Sequence, residues 1–118
     1  MQVAAITSVL LGLISVQVSA AGFRSTCNTV NLSGFTLSAE CASGLGGFAG
    51  TSSLDINRCF FALDGKISCG AGGISGCTCS QIDVASASCT CPDNAGKQVT
   101  NNVNLDACIS NSDGKLSC

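Results

Sequence analysis

The sequence predicts a disulfide-rich, all-β domain built as a tandem repeat with pseudo-two-fold symmetry, and three observations carry that expectation. A twelve-residue unit occurs twice, over residues 58–69 and 107–118, with six positions identical at a constant offset of 49: Cys59/Cys108, Asp64/Asp113, Gly65/Gly114, Lys66/Lys115, Ser68/Ser117 and Cys69/Cys118. Ten cysteines lie between residues 27 and 118, and separations of fourteen and ten recur among them. Asp-Gly stands between stretches carrying apolar residues in both copies, a strong hairpin signal in that setting.

The chain has 118 residues, of which the first eighteen are uncharged and mostly apolar. Val18, Ser19 and Ala20 then offer small residues for cleavage before Ala21, so residues 1–20 read as a secretory signal peptide. Thr7, Ser8, Ser15 and Gln17 interrupt the run, which falls short of the roughly 20 apolar residues of a membrane anchor. The mature chain is then one domain, residues 21–118, with repeat halves of about 22–70 and 71–118. It is expected to be secreted and extracellular, with no membrane insertion after signal cleavage. In that oxidising setting an even number of regularly spaced cysteines means a disulfide framework.

Composition excludes several functions. Five basic residues against seven acidic ones form no basic stripe, which argues against nucleic acid and anionic membranes as partners. Histidine is absent, so neither a Ser-His-Asp nor a Cys-His arrangement can be built. Four of the acidic residues (Asp55, Asp64, Asp106 and Asp113) sit in repeated turn motifs, where carboxylates commonly bond local backbone. No enzymatic activity is expected. Cys77-Thr78-Cys79 and Cys89-Thr90-Cys91 superficially resemble a four-thiolate zinc site. Oxidation removes thiolates, and structural zinc sites use Cys-x₂₋₄-Cys spacing, so neither metal nor other cofactor is expected.

In chain order, Cys27 and Cys41 flank Leu32, Phe35 and Leu37 with Ser33-Gly34 between them, which suggests two short strands closed by a disulfide. Asn31-Leu32-Ser33 is a glycosylation sequon within that hairpin. Residues 42–50 hold four glycines and read as a tight or mobile loop. Ser53 is placed to cap a short helical turn carrying Leu54 and Ile56. The first hairpin follows, and residues 70–76, with four glycines, read as the most flexible stretch and the link between halves. In the second half Cys77/Cys91 and Cys79/Cys89 share a common centre at Val84, as expected for one antiparallel hairpin with two bridges on one face. A turn over residues 92–96 precedes Val103-Asn104-Leu105-Asp106, which matches Leu54-Asp55-Ile56-Asn57 at the same offset of 49.

Register arithmetic assigns the remaining cysteines. A three-residue loop over Leu63, Asp64 and Gly65 puts Cys59 opposite Cys69 in a non-hydrogen-bonded pair, the type that brings α-carbons to about 4.5 Å. The same loop around Ser112, Asp113 and Gly114 puts Cys108 opposite Cys118, whereas a two-residue turn would throw both pairs out of register. The expected pairing is Cys27–Cys41, Cys59–Cys69, Cys77–Cys91, Cys79–Cys89 and Cys108–Cys118, each bridge stabilising its own hairpin by about 2–3 kcal/mol. Joining the halves is left to apolar packing among Leu32, Leu37, Leu54, Ile56, Ile67, Ile82, Val103, Leu105, Ile109 and Leu116.

With both halves laid out, the chain resembles the cyanovirin-N homology family of lectins. The match runs through Thr26-Cys27, residues 37–41, Gly46-Gly47-Phe48, residues 53–57 and residues 63–65 in the first half. It continues through Cys77, Cys91, residues 103–106 and residues 112–116. The resemblance implies an elongated fold with two three-stranded sheets, each paired with the β-hairpin of the other half. It also implies non-catalytic binding of oligomannose-type glycans, with one shallow site at each end; the glycine-rich link departs from the family, so its domain-swapped dimers do not carry over and a monomer is expected. Carried over residue by residue, the end built by both termini uses Ser25, Thr26, Ala42, Ser43, Gly44, Asn111, Ser112 and Asp113. The second, weaker end uses Ala62, Asp64, Ser75, Gly76, Asp93 and Asn94. Ala42 and Gly44 depart from the polar contacts the family often places there, and six cysteines are extra to its simplest members. A cysteine-rich interaction or effector protein that keeps this fold without binding sugar is the competing expectation.

Overall fold

The computed structural model describes residues 22–44 and 46–118; the expected signal peptide lies outside the described residues. Two three-stranded antiparallel sheets and two hairpins make up the fold. The first sheet has the order β1 (Cys27–Ser33), β2 (Thr36–Ala42), β3 (Phe48–Asp55). A 3₁₀ turn, Ile56–Arg58, leads into the hairpin of β4 (Phe60–Leu63) and β5 (Lys66–Cys69). The second half repeats this with β6 (Thr78–Asp83), β7 (Ser86–Pro92), β8 (Gln98–Asn104), a 3₁₀ turn (Leu105–Ala107), and the hairpin of β9 (Ser110–Ser112) and β10 (Lys115–Ser117). A further 3₁₀ turn, Phe23–Thr26, precedes β1.

Alternation sets the faces of both central strands. Leu37, Ala39 and Cys41 on β2 and Ala87, Cys89 and Cys91 on β7 are buried, while their neighbours point outward. Ile56, Val103, Leu105, Ile109 and Leu116 join them in the core, and Leu32, Leu54 and Ile67 pack against it partly buried. Ile82 does not belong there: it is 52% exposed, beside the β6–β7 turn. Phe23, Phe60 and Ile74 are buried instead.

The hairpin turns differ from the expected three-residue loops. Leu63 pairs with Lys66 and Ser112 with Lys115, so each turn has two central residues. Asp64 and Gly65 have φ of 52° and 83°, and Asp113 and Gly114 have 52° and 93°. Positive φ at both positions is the type I′ turn, whose twist matches that of the strands it joins. Gly65 is required twice over, because a Cβ there would also lie 2.8 Å from Val99 Cγ2.

This turn overturns two of the five expected disulfides. Phe60, not Cys59, lies opposite Cys69, and Ser110 lies opposite Ser117. A one-residue slip turns every side chain of a strand to the other face. The bridges are therefore Cys59–Cys118 and Cys69–Cys108, with α-carbons 5.6 and 5.7 Å apart, rather than Cys59–Cys69 and Cys108–Cys118. They tie one hairpin to the other and so join the halves covalently, a task the sequence reading had left to apolar packing.

Cys27–Cys41, Cys77–Cys91 and Cys79–Cys89 form as expected, at 4.0, 4.3 and 4.1 Å between α-carbons. Here too the turns are two residues long, but a register shift between Asn28 and Asn31, and another between Gln81 and Asp83, restores the alignment. No such shift occurs in the hairpins of the repeated unit.

Each half's entry segment docks on the other half. The Arg24 N–H donates to Asp106 Oδ1 at 2.7 Å and the Ile74 N–H to Asn57 Oδ1 at 2.7 Å. Residues 70–76 are thus a packed crossing and not a loose link: Gly73 donates to the Phe60 carbonyl at 2.8 Å and Ile74 is 2% exposed. Gln81 adds a further tie, accepting from the Leu32 N–H at 3.0 Å and donating to the Val30 carbonyl at 3.3 Å. The short helical turn is capped by Asp55, which accepts from the Asn57 N–H, and not by Ser53; Asn104 does the same for Asp106.

Candidate functional site

Each end of the molecule sets a hairpin of one half against the sheet of the other. At the end built by both termini, the Leu116 N–H donates to Ser52 Oγ at 2.9 Å, joining β10 to β3. At the other end, Asn101 on β8 accepts from the Ile67 N–H at 3.1 Å and donates to the Gly65 carbonyl at 2.8 Å. Ser52 and Asn101 stand 49 residues apart, the repeat offset. The sequence reading missed both residues. Asn101 was findable, since period-2 alternation places it inward between Val99 and Val103.

The terminal end assembles three segments far apart in sequence. Asn111 Nδ2 donates to Thr26 Oγ1 and to the Ala42 carbonyl, both at 2.9 Å. Its Oδ1 accepts from the Gly114 N–H at 2.7 Å. Both amide hydrogens and the carbonyl are engaged within the protein, so Asn111 is a clasp that holds residue 26, residue 42 and the β9–β10 turn in one place. Asp113 secures the next loop: its Oδ1 accepts from the Gly44 N–H at 2.6 Å. A Cβ at residue 44 would lie 3.1 Å from that oxygen, so the glycine permits the close approach.

The structure thereby brings Thr26, Ala42, Gly44, Asn111 and Asp113 together, with exposed Ser25 beside Thr26 and exposed Ser112 beside Asp113. Ser43 sits in the same loop, its N–H donating to the Gly47 carbonyl at 2.7 Å. The polar capacity facing solvent comes from the second oxygen of Asp113, the hydroxyl of Ser112 and the hydroxyl hydrogen of Thr26. Ser25 Oγ donates to the Gly22 carbonyl at 3.1 Å and keeps its oxygen available to accept. Groups that accept stand beside groups that donate, which is what a ligand hydroxyl requires.

The second end repeats the carboxylate lock without the clasp. Asp64 Oδ1 accepts from the Asn94 N–H at 2.8 Å. Asp93 Oδ1 accepts from the N–H groups of Ala95 and Lys97, at 2.9 and 2.8 Å, and shapes the loop from within. Ala62 and Gly76, where the other end has Asn111 and Thr26, offer no polar side chain. Ser75 and Gly76 are exposed, and among the described residues no hydrogen bond joins them to the β4–β5 turn. The Asn94 side-chain amide is exposed and makes no hydrogen bond among the described residues. Among the described residues no group of His, Cys, Asp or Glu is placed to hold a metal ion.

The CVNH domain profile matches residues 23–117. The chain is similar to the NMR structure of GzCVNH from Gibberella zeae, with 30% identity and a TM-score of 0.69 over 81% of this chain and 95% of that one. It is similar in fold to the MoCVNH3 variant Mo0v, solved in complex with (N-GlcNAc)4, with 18% identity and a TM-score of 0.74 over 84% of this chain and 97% of that one. It is also similar in fold to microvirin in a mannobiose complex, with 24% identity and a TM-score of 0.65 over 82% and 97% of the two chains. No curated protein matches the sequence significantly.

Proposed function

The chain belongs to the CVNH domain family, and from that premise we propose that it is a secreted, non-catalytic lectin that binds mannose-rich glycans as a monomer. The observation that carries this reading is the convergence at the terminal end of residues 25–26, 42–44 and 111–113, clasped by Asn111 and locked by Asp113. Two relatives of the same fold were solved with saccharides, (N-GlcNAc)4 and mannobiose, which supports a sugar as the ligand class.

In this reading the roles divide by what each group has left to offer. Asp113 accepts from a sugar hydroxyl through its second oxygen, while Thr26, Ser112 and Ser25 contribute hydroxyls. Asn111 positions the other groups and need not touch the ligand. The loop of residues 42–44 contributes backbone, with Ser43 at its rim. Asp64 and Asn94, on the frame set by Asp93, form the second and weaker site. Each hydrogen bond to a neutral partner is worth roughly 0.5–1.5 kcal/mol net, and one to a charged group about 1.5–3. A shallow site of this kind therefore depends on several groups held together.

Calorimetric titration of the mature protein with mannobiose and an oligomannose glycan tests the proposal. Saturable binding is expected, weakened about tenfold or more by Asp113→Ala through loss of a charge-assisted bond. Asn111→Ala should weaken it as much without removing a ligand contact, by releasing Thr26 and the loop after β2. Full affinity in both variants would overturn the terminal site, and no binding by the folded wild type would overturn the lectin reading.

A further inference from the structure

The repeat is not symmetric beside its 3₁₀ turns, and a groove lies beside the second of them. Backbone bonds define the equivalent positions: Leu105 N–H donates to the Ala85 carbonyl at 2.8 Å in one half and Ile56 N–H to the Phe35 carbonyl at 2.9 Å in the other. Arg24 and Ile74 correspond likewise, through their bonds to Asp106 and Asn57. Where the first half carries Phe35 and the buried Ile74, the second has Ala85 and the exposed Arg24. A small side chain replaces a ring and a solvent-facing cation replaces a core residue. At these positions the second half has a groove of about 440 Å³ lined by Arg24, Asp83, Ser86, Asn102, Asn104 and Asp106.

Its floor is the outward face of β7 and β8, where Ser86 lies opposite Asn104 and Ser88 opposite Asn102. The lining has bonding capacity to spare. Asp83 Oδ1 is held by the Ala85 N–H at 3.0 Å and Asp106 Oδ1 by Arg24 N–H, which leaves the second oxygen of each carboxylate unengaged. Asn104 Oδ1 accepts from the Asp106 N–H at 3.1 Å, so its amide hydrogens remain. The Arg24 guanidinium and the Asn102 amide have no partner among the described residues. Cationic and amide donors thus face carboxylate and hydroxyl acceptors across one open groove, with one Arg against two Asp.

We propose that this groove is a binding site for a neutral saccharide, separate from both ends. Adjacent ring hydroxyls each donate and accept, and the planar fork of a guanidinium meets two such oxygens at once. An anionic ligand is disfavoured by the two carboxylates, and the absence of metal-holding geometry among the described residues argues against a bare divalent cation. The groove stands on its own lining; the lectin reading enters only in the choice of probes.

Two-dimensional ¹H–¹⁵N NMR of the mature protein, titrated separately with mannobiose and with (N-GlcNAc)4, tests it. Saturable shifts are expected at the amides of Arg24, Ser86, Asn102 and Asp106 with at least one of these sugars. They should persist in an Asp64→Ala/Asp113→Ala protein and weaken about tenfold in Arg24→Ala, whose side chain has no structural partner. Asn102→Ala, on the sheet that does not build the terminal end, should weaken the groove response alone and leave shifts at residues 111–113 unchanged. Shifts confined to the two ends with both sugars would overturn the groove and leave the lectin reading intact. Groove shifts with silent ends would uphold the groove and refute the end sites, and a silent spectrum with both sugars would refute the groove, while the lectin reading stands or falls with the oligomannose titration.

Discussion

Removing the Cys59–Cys118 bridge by Cys59→Ser/Cys118→Ser probes the covalent link between the hairpins. The bridge spans 59 residues, but with Cys69–Cys108 intact the shortest closed loop runs through two ten-residue arms, Cys59 to Cys69 and Cys108 to Cys118. A loop of about 20 residues corresponds to about 3.3 kcal/mol on the chain-entropy relation. Removing Cys69–Cys108 as well opens a 39-residue span, which Cys77–Cys91 shortens to about 25 and which is worth a further ~3.5 kcal/mol. The first loss should lower Tm by about 15–20 °C in a domain of this size, and both together leave a protein near the limit of folding. Bridges within each hairpin would instead close ten-residue loops, worth about 2.7 kcal/mol apiece and additive. Urea unfolding measures the magnitudes, and digestion of the unreduced protein with trypsin decides the connectivity. Cleavage at Arg58, Lys66, Lys97 and Lys115 puts Cys59, Cys69, Cys108 and Cys118 on four separate peptides. Fragment 59–66 should be found joined to 116–118, and 67–97 to 98–115. Recovery of 59–66 joined to 67–97 would refute the reasoning, turn geometry included.

Three further perturbations follow from the packing. Gln81→Leu leaves the half-buried Leu32 N–H without its acceptor, and a loss of about 1–3 kcal/mol in urea unfolding is expected; an unchanged midpoint would show that the tie between β1 and β6 contributes nothing. Gly65→Ala sets a Cβ 2.8 Å from Val99 Cγ2 at a φ of 83°, so about 2–4 kcal/mol should be lost from overpacking and backbone strain combined. Thermal melts that match wild type would contradict the I′ geometry. Ile82→Ser should stay within about 0.5 kcal/mol of wild type, because the side chain is 52% exposed; a loss near 2 kcal/mol would return Ile82 to the core.

The register of the repeated hairpins shows where sequence reasoning loses its hold. Spacing alone correctly paired Cys27 with Cys41, and Cys77 and Cys79 with Cys91 and Cys89. In those hairpins a two-residue turn and a register shift offset each other, and the arithmetic succeeded although the assumed turn was longer. In the β4–β5 and β9–β10 hairpins nothing offsets the turn, so the same arithmetic failed. The candidate site was legible in part. Thr26, Asn111 and Asp113 were named from the resemblance and do converge. That the Asn111 amide is engaged on both sides by Thr26 and Ala42 was not legible, because those partners lie 85 and 69 residues away.

What the sequence determines by itself is local and periodic: the twin Asp-Gly turns, the alternation that buries Leu37, Ala39 and Cys41, and the offset of 49 that makes two halves of one kind. These follow from backbone preference and side-chain period, which neighbouring residues carry with them. Tertiary structure decides which cysteine of one hairpin meets which of the other, which amides serve as clasps, and where the repeat fails to match itself. A one-residue difference in turn length reverses the facing of a strand, and only the docked halves reveal which length the chain has taken. The groove beside Arg24 has the same origin, since it is lined by Arg24 together with residues 83–106, which lie far from it in sequence and meet it only once the two halves have closed on each other.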